Sequence, residues 1–216
     1  NDVQEVANYV AAMNYGLERL STLPVSIRLI REIHERLMQG VRGNMLQPGE
    51  IRRSQNWIGA AGATIRQAAF VPPPPAELMN ALGGLENFLH QDHSMPALVK
   101  IGLAHAQFET IHPFLDGNGR VGRLLITFLL CEKGILSTPL LYLSHYFKRY
   151  REDYYNRLQD IPDSGDWESW LKFFLRGVAE VSEGATRTAR EIVDLREHCR
   201  EVIGNSFGRV GANASV

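Results

Sequence analysis

Cysteine is scarce in this chain: Cys131 and Cys199 are the only two among 216 residues. Neither stands at metal-ligand spacing from a second Cys or a His, which excludes a disulfide framework and a zinc finger. Both thiols are expected reduced and half-buried, in a reducing compartment such as the cytoplasm. A surplus of charge is also missing, since 23 Lys plus Arg face 24 Asp plus Glu for a formal net charge of −1. That balance gives no bulk attraction to nucleic acid or anionic lipid, so any anion site has to be local. Long apolar runs are absent as well. The longest, Leu124 to Cys131, is interrupted by Thr127 and is far shorter than a membrane span, and no charged-then-apolar leader is present.

What the chain does have is length and helical periodicity. A chain of 216 residues buries roughly 70% of its unfolded surface, enough for an ordinary core. Ile27, Ile30, Ile33 and Leu37 form one stripe between Pro24 and Gly40, and Leu78, Leu82, Leu85 and Leu89 form another after Pro75. A third, after Pro96, carries Ala97, Ile101, Ala104, His105 and Phe108 on one face. Asn118 to Lys133 is apolar on nearly all sides with Gly134 just past its end, the pattern of a central buried helix. Further helices are predicted over 143–159, with Ser144 as a cap, then over 166–181 and 186–203; Trp167, Trp170, Phe173 and Phe174 belong to the core. The exception is 49–75, where Gly59 and Gly62 separate Gln55–Ile58 from Thr64–Val71. This reads as a short exposed β-hairpin closed by Pro72–Pro75.

The predicted fold is therefore all-α, one domain over 1–203, with a hairpin flap at about 49–75. A Gly, Ser and Ala-rich tail or linker start occupies 204–216. Because the chain opens at Asn1 without Met and enters a helical pattern at once (Val3, Val6, Ala7, Val10, Leu17), it is expected to be a fragment of a longer protein.

The informative run is His112-Pro113-Phe114-Leu115-Asp116-Gly117-Asn118-Gly119-Arg120-Val121-Gly122-Arg123, between one helix and the next. Gly117 and Gly119 let the backbone turn tightly against a ligand, and the free N–H groups of the following helix start make an anion cradle. Arg120 and Arg123, three apart on the first turn, can clamp neighbouring phosphates. Asp116 offers the hard oxygen that suits a magnesium ion held between protein and nucleotide. His112 is a base that is partly neutral near pH 7. Taken singly, each part has a bland reading: a His before Pro is ordinarily structural, Gly-Asn-Gly ordinarily a turn, paired Arg ordinarily a solvated face. Here they coincide within 12 residues. His105, on an apolar face, reads as a hydrogen-bonded core residue, and His34, His90, His93, His145 and His198 have no partners for zinc.

This run matches the signature H-P-F-x-D-G-N-G-R-x-x-R at every specified position, and the chain resembles the bacterial-type Fic family of protein adenylyltransferases. Ser54–Gly59 and Phe70–Pro75 are similar to the flap that precedes the motif in that family. The resemblance implies a Fic-type helical bundle and a reaction in which His112 takes the proton from a Ser, Thr or Tyr hydroxyl of a target protein attacking the α-phosphate of ATP. Asp116 would hold magnesium, while Gly117, Asn118 and Gly119 would line the anion hole and Arg120 and Arg123 would bind the outer phosphates. Phe114 would anchor the loop. Tyr155, of the pair Tyr154-Tyr155, would sit near the adenine or pack on its neighbouring helix. The flap residues Thr64, Ile65, Arg66, Gln67, Ala68 and Ala69 would offer a free strand edge to the target, or only roof the pocket. Self-modification is expected, and the oligomeric state is left open. The alternatives are a relative that moves another phosphate-containing group and a non-catalytic nucleotide-binding module. Many members also carry an inhibitory helix, S/T-x-x-x-E-G/N, whose Glu pairs with the second motif Arg, here Arg123. Glu183-Gly184 and Glu86-Asn87 fail that pattern at Ala179 and Leu82, so the resemblance implies such a helix before Asn1.

Overall fold

Amphipathic helices with no strand to pack on must bury their stripes against one another, and the computed structural model shows how these do so. It describes residues 2–40, 47–60, 62–91, 94–139 and 142–212, with side chains over 3–205 of these. The described residues form α1 (Asp2–Arg19), α2 (Ile27–Leu37), α3 (Leu78–His90), α4 (Ala97–Ile111), α5 (Asn118–Glu132), α6 (Leu143–Arg149), α7 (Arg151–Ser164) and α8 (Trp167–Ala212). None of these helices is long and apolar enough to cross a membrane.

α2 starts where neighbours satisfy its first donors. Ser26 Oγ accepts from Leu29 N–H (3.3 Å), Glu86 of α3 accepts from Ile27 N–H (2.8 Å), and Glu132 at the end of α5 accepts from Val25 N–H (2.8 Å). The last carbonyls of α3 are met by Lys100 of α4, whose Nζ donates to Leu89 O (2.9 Å) and Gln91 O (2.7 Å). The start of α2 is thereby fastened to α3 and α5, and the end of α3 to α4, before any apolar contact is counted. α5 packs against α1, α2 and α4, and Val121, Leu124, Leu125, Ile126, Phe128, Leu129 and Leu130 are all buried. α8 covers α4, α6 and α7 with Trp170 and Phe174 at 0% exposure; Trp170 Nε1 donates to Gly102 O of α4 (2.9 Å).

Several predicted elements come out differently. There is no strand among the described residues: the flap holds a single antiparallel bridge, Ile58 with Phe70, closed by Ile58 N–H to Phe70 O (2.9 Å) and Ala69 N–H to Ile58 O (2.8 Å). The expected free edge over Thr64–Ala69 is instead a 3₁₀ turn, Ile65–Gln67. Gln67 Oε1 takes both Thr64 N–H and Thr64 Oγ (3.1 Å each) and reels the segment in. The prolines beyond it supply no ladder donors. The helix predicted over 143–159 breaks at Tyr150 (φ −109°, ψ 45°). That bend keeps Tyr146 against Phe173 of α8 (centroids 5.1 Å) while Tyr154 turns under α4 to His105. Ser144 caps nothing, since α6 begins after Tyr142. The two helices predicted after 166 are one, because an interior Gly184 costs only about 1 kcal/mol and good helix formers flank it. α8 also runs through Ala212, so most of the stretch read as a tail is helical. Cys131 is half-buried as expected but Cys199 is exposed. His93 and the last four positions lie outside the described residues.

α1 approaches α5 at Gly16, where an added β-carbon would enter the Phe128 ring. Gly16→Ala is expected to destabilise the fold by about 1–3 kcal/mol, the usual cost of overpacking. Urea unfolding checks this, and Gly16→Ala with Phe128→Leu should recover part of the loss.

Candidate functional site

The loop between α4 and α5 takes its shape from its own residues. α4 ends at Ile111, and His112 turns the chain in the left-handed region (φ 48°, ψ 60°), where non-glycine residues are rare and mildly strained. Gly117 (φ 80°) opens α5; Met38 Sδ and His34 crowd the space a β-carbon there would need. Asn118 is buried, and its side chain holds the loop closed: Oδ1 accepts from Phe114 N–H (2.9 Å) and Nδ2 donates to Phe114 O (2.8 Å). The side chain therefore faces the loop, and what Asn118 can offer an anion is its backbone N–H. The first bond of α5 is Val121 N–H to Gly117 O (3.0 Å), so the N–H groups of Asn118, Gly119 and Arg120 have no acceptor within the helix.

Phe114 is fully buried and lies flat on His34 of α2, with ring centroids 3.7 Å apart and planes 3° from parallel. His34 accepts Gly49 N–H at Nδ1 (2.8 Å) and donates from Nε2 to Asp116 O (3.0 Å). Burial holds its pKa at about 4. Arg52, only 3% exposed, binds the flap to the same loop: Nε donates to His112 O (2.9 Å), Nη2 to Pro73 O (2.5 Å), and its backbone N–H to Pro113 O (2.9 Å). Asn56 adds a bond to Phe114 O (2.9 Å). His34, Arg52 and Asn56 were not legible as site residues: His34 is a lone polar position inside the periodic α2, and Arg52 and Asn56 lie in an irregular segment with no periodic signal.

His112 Nδ1 lies 3.3 Å from Glu109 O, which fixes the proton on Nδ1 and leaves Nε2 as the acceptor. Desolvation, the largest influence, lowers its pKa to about 4, so the ring is neutral at pH 7 throughout and not only in part. Asp116 Oδ1 accepts Gly117 N–H (2.6 Å) and lies 3.6 Å from Arg120 Nη2. Arg120 also reaches Glu5 of α1 (3.5 Å). Arg123 folds back over Gly119, where its Nη1 comes within 3.2 Å of a β-carbon position, and it makes no ion pair or hydrogen bond with a described residue. Arg120 and Arg123 line one cavity of about 500 Å³ together with Glu5, Tyr9, Lys148, Arg151 and Tyr155. Tyr155 is 48% exposed there, whereas Tyr154 is buried with its hydroxyl on His105 Nε2 (3.0 Å). The flap residues Thr64, Ile65, Arg66, Gln67, Ala68 and Ala69 do not line it.

The family model described as Fic/DOC family matches residues 24–130, which include the whole motif loop and α5 up to Leu130. The chain belongs to the Fic/DOC family. It is 31% identical over 182 residues to the protein adenylyltransferase Fic of Drosophila ananassae, and 30% identical over the same length to that of Drosophila virilis. Each match takes in 83% of this chain, and the chain spans about a third of the length of these curated relatives (32% and 33%). Among solved structures, a Fic family protein from Desulfovibrio desulfuricans G20 superposes with TM-score 0.72 at 26% identity, over 87% of this chain and 54% of that one. Fic-1 of C. elegans superposes with TM-score 0.60 at 24% identity, over 84% and 52%, a likeness of fold.

Beneath the cradle of this Fic domain sits a carboxyl that the sequence reading did not single out. Glu109 is half-buried as a residue, yet its Oε1 is sealed from solvent without a hydrogen-bond partner and fills the space a β-carbon at Gly122 would take. Burial raises its pKa to about 7, against the lowering pull of Arg123. The two kinds of buried group oppose each other. A carboxyl whose pKa rises on folding stabilises fully below its unfolded value and loses that contribution as pH climbs toward 7. His34, His105 and His112, depressed to about 4, 3 and 4, lose theirs as pH falls below 6.5. Glu109→Gln should therefore gain stability on the wild type between pH 4.5 and 7, by about 3 kcal/mol at most. Urea unfolding at a series of pH values reads the difference; a constant offset would show that Glu109 does not titrate in this window.

Proposed function

We propose that this domain transfers AMP from ATP to a hydroxyl of a protein, with His112 as the base. The observation that carries the reading is the junction itself: an imidazole with an unprotonated Nε2, a helix start with three N–H groups that have no acceptor among the described residues and Arg123 without an ion-pair or hydrogen-bond partner among them all meet at one loop. The names of the relatives support the same activity.

In the proposed step, His112 Nε2 takes the proton of the attacking hydroxyl as its oxygen bonds to the α-phosphorus, and the bond to the bridging oxygen breaks so that pyrophosphate leaves. A base of pKa about 4 is weak, so it does little before the new bond forms. Its merit is that it is always in the accepting state, and a triphosphate alongside would raise its affinity for the proton. The N–H groups of Asn118, Gly119 and Arg120, with Arg120 and Arg123, would take up charge on the phosphate oxygens. Tyr155, on the lining of the same cavity, would pack beside the adenine.

Asp116 fits magnesium. One oxygen is spent on the loop, the other carries no bond, and no cluster of three His, Cys, Asp or Glu ligands exists among the described residues. A single carboxylate is what a magnesium ion shared with a nucleotide asks of the protein, and the ion would draw charge from the phosphates. Arg123, unpaired among the described residues, is also the group that an inhibitory carboxylate upstream of Asn1 would engage, and that carboxylate would then compete with the outer phosphate.

Incubation with α-labelled ATP and magnesium tests the reading. His112→Ala is expected to lose transfer by at least about 100-fold while nucleotide binding survives. Asp116→Ala should weaken binding and turnover together and shift the magnesium requirement. Transfer by His112→Ala within a fewfold of wild type would remove His112 from its role.

A further inference from the structure

α8 leaves the core at Val181. Phe174 and Val178 are 0% and 9% exposed, Val181 is half-buried, and no later residue of the helix joins the core among the described side chains. Yet the helix continues through Ala212 and presents Ile192 (62% exposed), Val193 (49%), Leu195 (62%) and Val202 (48%) to water. All but Val193, which sits beside the line, follow a rule. Val178, Val181, Ala185, Thr188, Ile192, Leu195, Cys199 and Val202 are spaced alternately by three and four, the a and d positions of successive heptads. A helix resting on a globular core needs a wider apolar stripe, whereas a narrow seam of mean period 3.5 is what a second helix packs into.

The charges flanking the seam select the occupant. Glu191 precedes the a residue Ile192, and Arg196 follows the d residue Leu195, so they hold g and e positions five residues apart. In a parallel, in-register pair of identical helices, each g residue faces the e residue five positions on in the other chain. Glu191 of each copy then meets Arg196 of the other, twice by symmetry. An antiparallel pair would set g against g and e against e and lose this match. Ile at a with Leu at d also favours two parallel strands. In the single chain Arg196 rests on Glu197 through Nε and Nη2 (3.1 and 2.7 Å), which leaves Nη1 for a carboxylate across the seam.

We propose that the projecting part of α8, from Val178 to Val202, pairs with the same segment of a second copy as a parallel two-stranded coiled coil held in register by Glu191 and Arg196. The pairing buries Ile192 and Leu195 and brings the exposed Cys199 of each copy face to face at an a position.

Sedimentation velocity over a concentration series, with the whole chain, reads the association. Wild type is expected to dimerise reversibly, and Ile192→Asp with Leu195→Asp to be monomeric at every concentration. Glu191→Arg should weaken the dimer on the order of tenfold by setting like charges together, and Glu191→Arg with Arg196→Glu should restore it. A short bis-maleimide, which joins thiols only when they lie close together, should link copies in wild type and Cys131→Ser but not in Cys199→Ser. A monomer throughout, or a dimer indifferent to Ile192→Asp and Leu195→Asp, overturns the proposal. A dimer that Cys199 does not link overturns the parallel register.

Discussion

One amide holds the site together. The side chain of Asn118 accepts and donates to the two backbone groups of Phe114 (2.9 and 2.8 Å), which closes the loop onto the first turn of α5. Closing it points the N–H groups of 118–120 outward and fixes Phe114 over His34. His34 in turn holds the backbone on both sides, at Gly49 and Asp116. Arg52 does the same from the flap, spending its donors on carbonyls of His112, Ser54 and Pro73. Charged and polar groups this deeply buried are tolerable because each is bonded, and a loop held this way presents His112 and the arginines with little freedom left to lose.

Electrostatics follow from that frame. The helix start is electropositive, Arg123 has no described partner, and the acids nearby are placed so as not to neutralise it: Glu5 and Asp116 attend to Arg120, and burial biases Glu109 toward its neutral form. Lys148 and Arg151 continue the positive lining on α6 and α7. A chain with formal net charge −1 thus concentrates cations at one cavity, so that its positive charge is local although its overall balance is near zero.

Residues with local or periodic signatures were legible in the sequence. The stripes of α2, α3 and α4, the start and end of α5 and the burial of His105 all follow from 3.6-residue spacing and from Gly or Pro at helix ends, whereas the anchoring of Phe114 came only with the family resemblance. The motif was legible because several uncommon residues coincide there. Three things were not. The flap's conformation depends on Gln67 capping Thr64 and on Arg52 reaching across to the loop, contacts that alternation of apolar residues does not encode. The bend at Tyr150 depends on which aromatic neighbours Tyr146 and Tyr154 find in α8 and α4. The continuity of α8 past Gly184 turns on a penalty of about 1 kcal/mol being too small to break a long helix.

Whether the group moved onto protein is AMP, as proposed, is read by the intact mass of a protein modified by this domain in the presence of ATP and magnesium. An added mass equal to one AMP, localised by fragmentation to a Ser, Thr or Tyr oxygen, is the predicted result. An added phosphate, or nucleotide that binds and is never transferred, would rule out AMP transfer by this domain.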